Sequence, residues 1–181
     1  SNITEFEGIG LHSGEKVKIA LIPADVNTGI QFKINDYLIL ASWKNAVVSQ
    51  LCTRIKFKEI TISTIEHLMA AISGLGITNL IININSNEVP ILDGSSKDFV
   101  NQIKSTGIID QKIKRKVVKI LKKVEFKEKE KFIYITPSKD NNLNIDYTID
   151  YKDQLIKKQN LKYTHNEANF LKIYMSRTFC L

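Results

Sequence analysis

Residues 61–76 read "TISTIEHLMAAISGLG", and the way this stretch folds decides what the rest of the chain is built around. Ile65, Leu68, Met69 and Ile72 recur at i, i+3, i+4 and i+7, Leu75 continues the stripe, and Gly74 and Gly76 stand where a helix would end. A short amphipathic helix is predicted. Ser63 followed three places later by Glu66 spells a capping box, which would give Glu66 a structural task at the helix start. Projected at about 100° per residue, His67 falls about 140° from the centre of the apolar stripe and Glu66 about 120° away on the other side. The pair therefore looks into solvent or into a cleft. On the residues alone it is either part of a metal site or the ordinary decoration of a helix start.

Strand-like segments flank this helix. "KVKIALIP" (16–23) and "GIQFKI" (29–34) are joined by the turn-rich "ADVNT", which predicts a hairpin. "NLIININ" (79–85) reads as a buried strand. Asp93-Gly94 then makes a turn before Ser95 or Ser96 caps a second helix containing Phe99, Val100 and Ile103. Strands, helix, strand, helix is an α+β order.

The 181 residues are 43% hydrophobic and 25% charged, enough for one large domain or two small ones with real cores. The apolar runs are too short to cross a bilayer and no leader opens the chain, so no export signal is expected. Cys52 and Cys180 lie far apart without a C-x-x-C spacing, which fits a reducing compartment and makes the cytoplasm the expected location.

A formal net charge of +7 raises the question of a nucleic-acid partner. Most of the charge lies between Lys112 and Lys131, which hold ten basic and three acidic residues while Val118, Ile120, Val124 and Phe126 alternate with charged neighbours. That is the pattern of a half-buried strand, without the aromatic interleaving of a single-strand binder or a recognition helix. No nucleic-acid partner is expected; a phosphate-bearing or membrane-surface substrate is compatible with the charge.

"KIALIPADVN" (18–27) recurs as "FIYITPSKDN" (132–141) at a constant offset of 114. Ile19, Leu21, Pro23 and Asn27 meet Ile133, Ile135, Pro137 and Asn141. This predicts two related domains, 1–112 and 113–181, the second only begun where the sequence ends, and Ser1 in place of Met suggests a clipped start.

Four signatures occur in order: "GIGLHSG" (8–14), "STIEHLMAAISGLGITN" (63–79), "EVPILDGSSKDF" (88–99) and "SRTF" (176–179). Together they resemble the UDP-3-O-acyl-N-acetylglucosamine deacetylases, the zinc amidases of lipid A biosynthesis in Gram-negative bacteria. The resemblance covers the whole chain. It implies two similar α+β domains, each layering a small sheet against helices, with the active site between them. It assigns the general base to Glu66 and one zinc ligand to His67, which competes directly with the capping-box reading of Glu66. Such a pair suits amide hydrolysis, in which a metal polarises the carbonyl while a carboxylate takes a proton from water. Thr178 corresponds to a threonine that helps stabilise the oxyanion. Phe179 would line the substrate pocket, Tyr151 matches an aromatic position for nucleoside stacking, and Leu51 and Cys52 lie near the acyl-binding region. On the residues alone they read equally as a strand threonine, core aromatics and a small buried cysteine.

His12, among three glycines, reads as a structural histidine, His165 as a surface residue near a helix start, and Asp93 as a turn acid without a catalytic role. Catalytic zinc takes three protein ligands and keeps an open position. The remaining ligands implied by the resemblance, a His and an Asp in an H-K-x-x-D type motif, and a later His as general acid, do not occur before Leu181. Relatives also continue F-G-F where this chain has Phe179-Cys180-Leu181. The chain is thus expected to be the N-terminal part of a zinc deacetylase, inactive alone and monomeric when complete, with UDP-3-O-acyl-N-acetylglucosamine as substrate and a peripheral contact with the inner membrane surface. The alternative is a non-catalytic truncated homologue with a binding or structural role.

Overall fold

The computed structural model describes residues 2–140 and 142–178; Phe179 and Cys180 lie outside the described residues, as does Asn141 of the internal repeat. In chain order the elements are β1 (Thr4–Ile9), β2 (Lys16–Pro23), β3 (Ile30–Ile34), β4 (Tyr37–Leu40), β5 (Ala46–Val47), β6 (Arg54–Phe57), β7 (Ile60–Ile62), α1 (Glu66–Gly74), β8 (Leu80–Ile84), α2 (Lys97–Thr106), β9 (Val124–Glu128), β10 (Lys131–Ile135), β11 (Asn144–Asp150), β12 (Lys158–Thr164) and α3 (Glu167–Ile173). The class is α+β, with small sheets and helices. Two compact units result: one runs to Lys114 and takes back the segment from Ile173 onward, and the other is Arg115–Lys172. Among the described residues, no helix is long and apolar enough to cross a membrane.

The first unit is a five-stranded sheet, ordered β1-β2-β8-β3-β4, with a three-stranded sheet β5-β6-β7 beside it. Alternation in the strands produces one apolar face: Val17, Ile19 and Leu21 of β2, Phe32 and Ile34 of β3, and Leu80, Ile82 and Ile84 of β8 are all buried. The helices bring their own stripes to this core, Leu68, Ala71 and Ile72 from α1 and Phe99, Val100 and Ile103 from α2. Phe99 meets Phe6 of β1 edge-on, with ring centroids 5.0 Å apart.

β2 and β3 do not form the hairpin expected from the sequence. β8 inserts between them, antiparallel to β2 with Leu21 opposite Ile82, and parallel to β3 with Phe32 opposite the same Ile82. β8 thus takes the centre of the sheet, with a hydrogen-bonded neighbour on each edge and its buried residues alternating on one face. Its entry is fixed locally: the Gly29 N–H donates to Asn79 Oδ1 (3.0 Å) and the Leu80 N–H to the Gly29 carbonyl (3.0 Å).

The second unit contains two separate hairpins, β9-β10 and β11-β12, and α3, whose Phe170 is buried. The strand expected between Lys112 and Lys131 forms only over β9 (Val124–Glu128), and it is exposed and not half-buried. Regular structure begins only at Val124, and Val118, Val124 and Phe126 are exposed. A two-stranded hairpin has no layer of its own against which to bury a face.

Candidate active site

The helix carrying Glu66 and His67 starts where three backbone features meet. Ser63 ends the β7 run by pairing with Glu88: the Ser63 N–H donates to Asn87 O (2.9 Å) and the Val89 N–H to Ser63 O (3.0 Å). Thr64 then takes a left-handed backbone, φ 58°, a conformation that β-branched residues rarely adopt. Helical geometry begins immediately afterwards. Glu66 opens α1 and His67 follows, both half-buried, while Ile65 and Leu68 on either side are buried.

The capping box does not form. The capping position falls at Ile65, with no side-chain cap. Ser63 is committed to the Glu88 bridge, and its Oγ accepts a hydrogen bond from Arg54 Nε (2.8 Å). The Glu66 carboxylate turns the other way and accepts the Thr53 N–H through Oε2 (3.0 Å). An acid in the first turn also suits the positive end of the helix dipole.

Two loops close on this helix start. The Ile65 N–H approaches the Thr53 carbonyl (3.4 Å), so the segment ending "QLCT" is tied to Glu66 and its neighbour from both sides. In that segment Leu51 has φ 60° and is 90% exposed, and the half-buried Cys52 has its Sγ 3.1 Å from Ser49 Oγ. On the other side, Ser96 Oγ donates to the His67 carbonyl (2.8 Å), and the Thr178 N–H donates to the Gly94 carbonyl (2.9 Å). The turn 93–96 thereby joins the Thr178 segment to the helix of His67.

Asp93 behaves as the turn acid its Asp-Gly pair predicts. Its Oδ1 accepts the Ser95 N–H (3.0 Å) and hydroxyl (2.7 Å), and Arg177 Nε lies 3.7 Å from Oδ2. The hydrogen bond from the Ser95 side chain, followed by the backbone bond and by Arg177 and Lys97, holds its carboxyl below the usual range despite a partial loss of solvent. The Ser95 hydroxyl also accepts the Lys97 N–H (3.0 Å) and so starts α2.

Of the residues singled out in the sequence, Glu66, His67, Leu51, Cys52 and Thr178 belong to elements linked around the α1 start. Tyr151 follows β11 in the second unit, its N–H donating to Lys157 O (3.2 Å). Phe179 is outside the described residues. The His12 side chain is exposed, and it is its backbone that is engaged, with Glu88. His165 precedes α3 with Nδ1 3.0 Å from the Tyr163 hydroxyl.

Glu88 was not apparent from the sequence. It is only 4% exposed, and its carboxylate accepts the His12 N–H (2.9 Å), the Ser13 N–H (2.8 Å) and the Thr64 hydroxyl (2.9 Å). Burial by itself would raise its pKa, but these hydrogen bonds outweigh it and hold the carboxyl below its ordinary value. The available signal was an acid placed directly before the apolar "VPIL", where a carboxylate is buried along with its neighbours.

Zinc is the metal implied by the four signatures. Among the described residues no group of three His, Cys, Asp or Glu side chains could hold a metal ion. These residues by themselves therefore fall short of the three protein ligands that a catalytic zinc takes.

The chain matches the model of the UDP-3-O-acyl N-acetylglycosamine deacetylase family over residues 1–181. It is 37% identical over 182 residues to the UDP-3-O-acyl-N-acetylglucosamine deacetylase of Campylobacter fetus, covering 99% of this chain and 61% of that protein. Similar values hold for the deacetylases of Campylobacter hominis, 39% identical over 95% of this chain and 59% of that protein, and of Lawsonia intracellularis, 39% over 96% and 58%. The chain belongs to the UDP-3-O-acyl N-acetylglycosamine deacetylase family. It spans about three fifths of the length of these curated relatives.

Proposed function

We propose that the protein to which this chain belongs is a zinc-dependent UDP-3-O-acyl-N-acetylglucosamine deacetylase of lipid A biosynthesis. The observation that carries this reading is the family match along residues 1–181. The linkage of Glu66, His67 and the Thr178 segment around one helix start supports it.

In this reading Glu66 is the general base. One carboxylate oxygen, Oε2, is held by the Thr53 N–H, and the other would take the proton of an attacking water. The water oxygen bonds to the acetyl carbon, the bond to the sugar 2-amino group breaks, and the proton passes to the departing amine, so acetate and a free amine leave. Thr178, its backbone fixed on Gly94, would donate a hydrogen bond from its hydroxyl to the carbonyl oxygen as negative charge builds there. His67 would be one ligand of the zinc ion, whose further donors are expected outside the described residues; when bound, the ion supplies Lewis acidity. Phe179 is assigned to the substrate pocket, Tyr151 to the nucleoside, and Leu51 and Cys52 to the region of the acyl chain.

We also infer that the second unit repeats the opening of the first. The repeated segments begin in β2 and β10, and the pairing agrees in kind: Ile19 stands opposite Phe6, and Ile133, 114 positions later, opposite Phe126. A cytoplasmic monomer that touches the inner membrane surface to meet its lipid-bearing substrate completes the proposal.

The test is acetate release from UDP-3-O-acyl-N-acetylglucosamine by the protein as its gene encodes it. Release that is lost with a chelator and restored by zinc is expected. A folded, zinc-replete protein that releases no acetate would overturn the assignment.

A further inference from the structure

Glu88 connects two motifs that are distant in sequence. One carboxylate oxygen accepts the His12 N–H and the Thr64 hydroxyl, and the other accepts the Ser13 N–H. Gly10 leaves room for it, because a Cβ there would stand 2.5 Å from Glu88 Oε2. The "GIGLHSG" turn is therefore a cradle shaped around one buried carboxylate, and the remaining hydrogen-bond partner of that carboxylate is Thr64.

Thr64 is the residue at which the chain changes course. It lies between the Ser63 bridge and the first turn of α1, with φ 58° where a β-branched side chain is strained. Such a conformation persists only when its surroundings impose it, and here its buried hydroxyl is fixed to Glu88. Glu66 and His67 follow two and three residues later, so the direction of α1 at Thr64 sets where both side chains point.

Resting on the deacetylase reading above, we propose that Thr64 and Glu88 are positioning residues: the Thr64 hydroxyl, anchored on the Glu88 carboxylate, aims the start of α1 and with it Glu66 and His67. Neither residue acts on substrate. The contact is fully buried and polar, and a buried acceptor that keeps its donors in place is a rigid reference point. A Gln at position 88 would present an amide N–H₂ to one set of donors and break the cradle as well as the anchor. Thr64→Val, of nearly the same shape, removes the hydroxyl alone.

The experiment compares Thr64→Val, Thr64→Ser and the unaltered protein, as the gene encodes it, by thermal melting, by kcat and KM for acetate release, and by the ring resonances of His67 in NMR spectra. The expected result is a cooperative melt for all three, a kcat at least tenfold lower for Thr64→Val with KM within twofold, and a displaced His67 ring resonance; Thr64→Ser returns both readouts towards the unaltered protein. A Thr64→Val protein with kcat within twofold and an unmoved His67 resonance would overturn the proposal. So would loss of the cooperative melt in Thr64→Val, since the hydroxyl would then serve the fold and not the aim of the helix, and so would equal impairment of both variants. Absence of acetate release in the unaltered protein would count against the deacetylase reading instead, and the His67 resonance would still decide the positioning claim.

Discussion

Gly10 has its closest non-neighbouring atoms in Ser13 and Glu88, so its missing side chain is a matter of space and not of backbone freedom. Gly10→Ala is expected to destabilise the first unit by about 1–3 kcal/mol, the usual cost of overpacking, read as a lower urea midpoint; an unchanged midpoint would show that the cradle yields. Glu88 also predicts a pH dependence. Its folded pKa lies below the unfolded value, so its contribution is complete above that unfolded value and is lost as the pH falls through the folded one. The urea midpoint of the unaltered protein should fall as the pH drops below about 4.3, the ordinary glutamate value, and the fall should be shallower in a folded Glu88→Gln variant. Equal slopes would remove Glu88 from the acid response. At this scale the sequence was partly legible. The position of Glu66 and His67 off the apolar stripe could be read, because helical periodicity is local. The capping box could not be judged, because Ser63 is claimed by a strand bridge to a residue 25 positions away in the chain.

At the scale of elements, alternation and helical spacing located β2, β3, β8, α1 and α2, each of which owes its form to its own residues. Their neighbours were another matter. Pairing β2 with β3 was the shorter connection, yet β8 displaces it because Ile82 is the residue that both Leu21 and Phe32 face across the sheet. Sequence adjacency carries no information about such an insertion. Ile82 is fully buried in the central strand, so Ile82→Ala is expected to cost about 2–5 kcal/mol, seen as a large loss of denaturation midpoint. A change under 1 kcal/mol, small beside the usual cost of such a truncation, would contradict the central place given to β8. In the lysine-rich segment a strand forms only at β9, and it is exposed for a related reason: alternation marks a face that could be buried, and burial also requires a layer to meet it.

For the molecule as a whole, the contrast between the two units should appear in their dynamics. The first has a continuous buried core, whereas Phe170 is the only buried residue among those described in the second. Hydrogen exchange of this chain should be slowest in β2 and β8 and at least tenfold faster in β9 and β10, because exposed hairpins open locally at low cost. Equal protection would contradict that division. The net charge of +7, which first suggested nucleic acid, is concentrated in residues 112–131 and leaves the α1 start to be judged by its own groups. In the proposed function Glu66 and His67 are the working pair of a deacetylase, and the most direct measurement is the rate of acetate release by Glu66→Gln beside that of the unaltered zinc-loaded protein. Gln keeps an oxygen to accept the Thr53 N–H, so the helix start survives while the base is lost. A fall in kcat of about 10²–10⁴ with KM nearly unchanged is predicted; a variant that releases acetate at the unaltered rate would place the chemistry elsewhere.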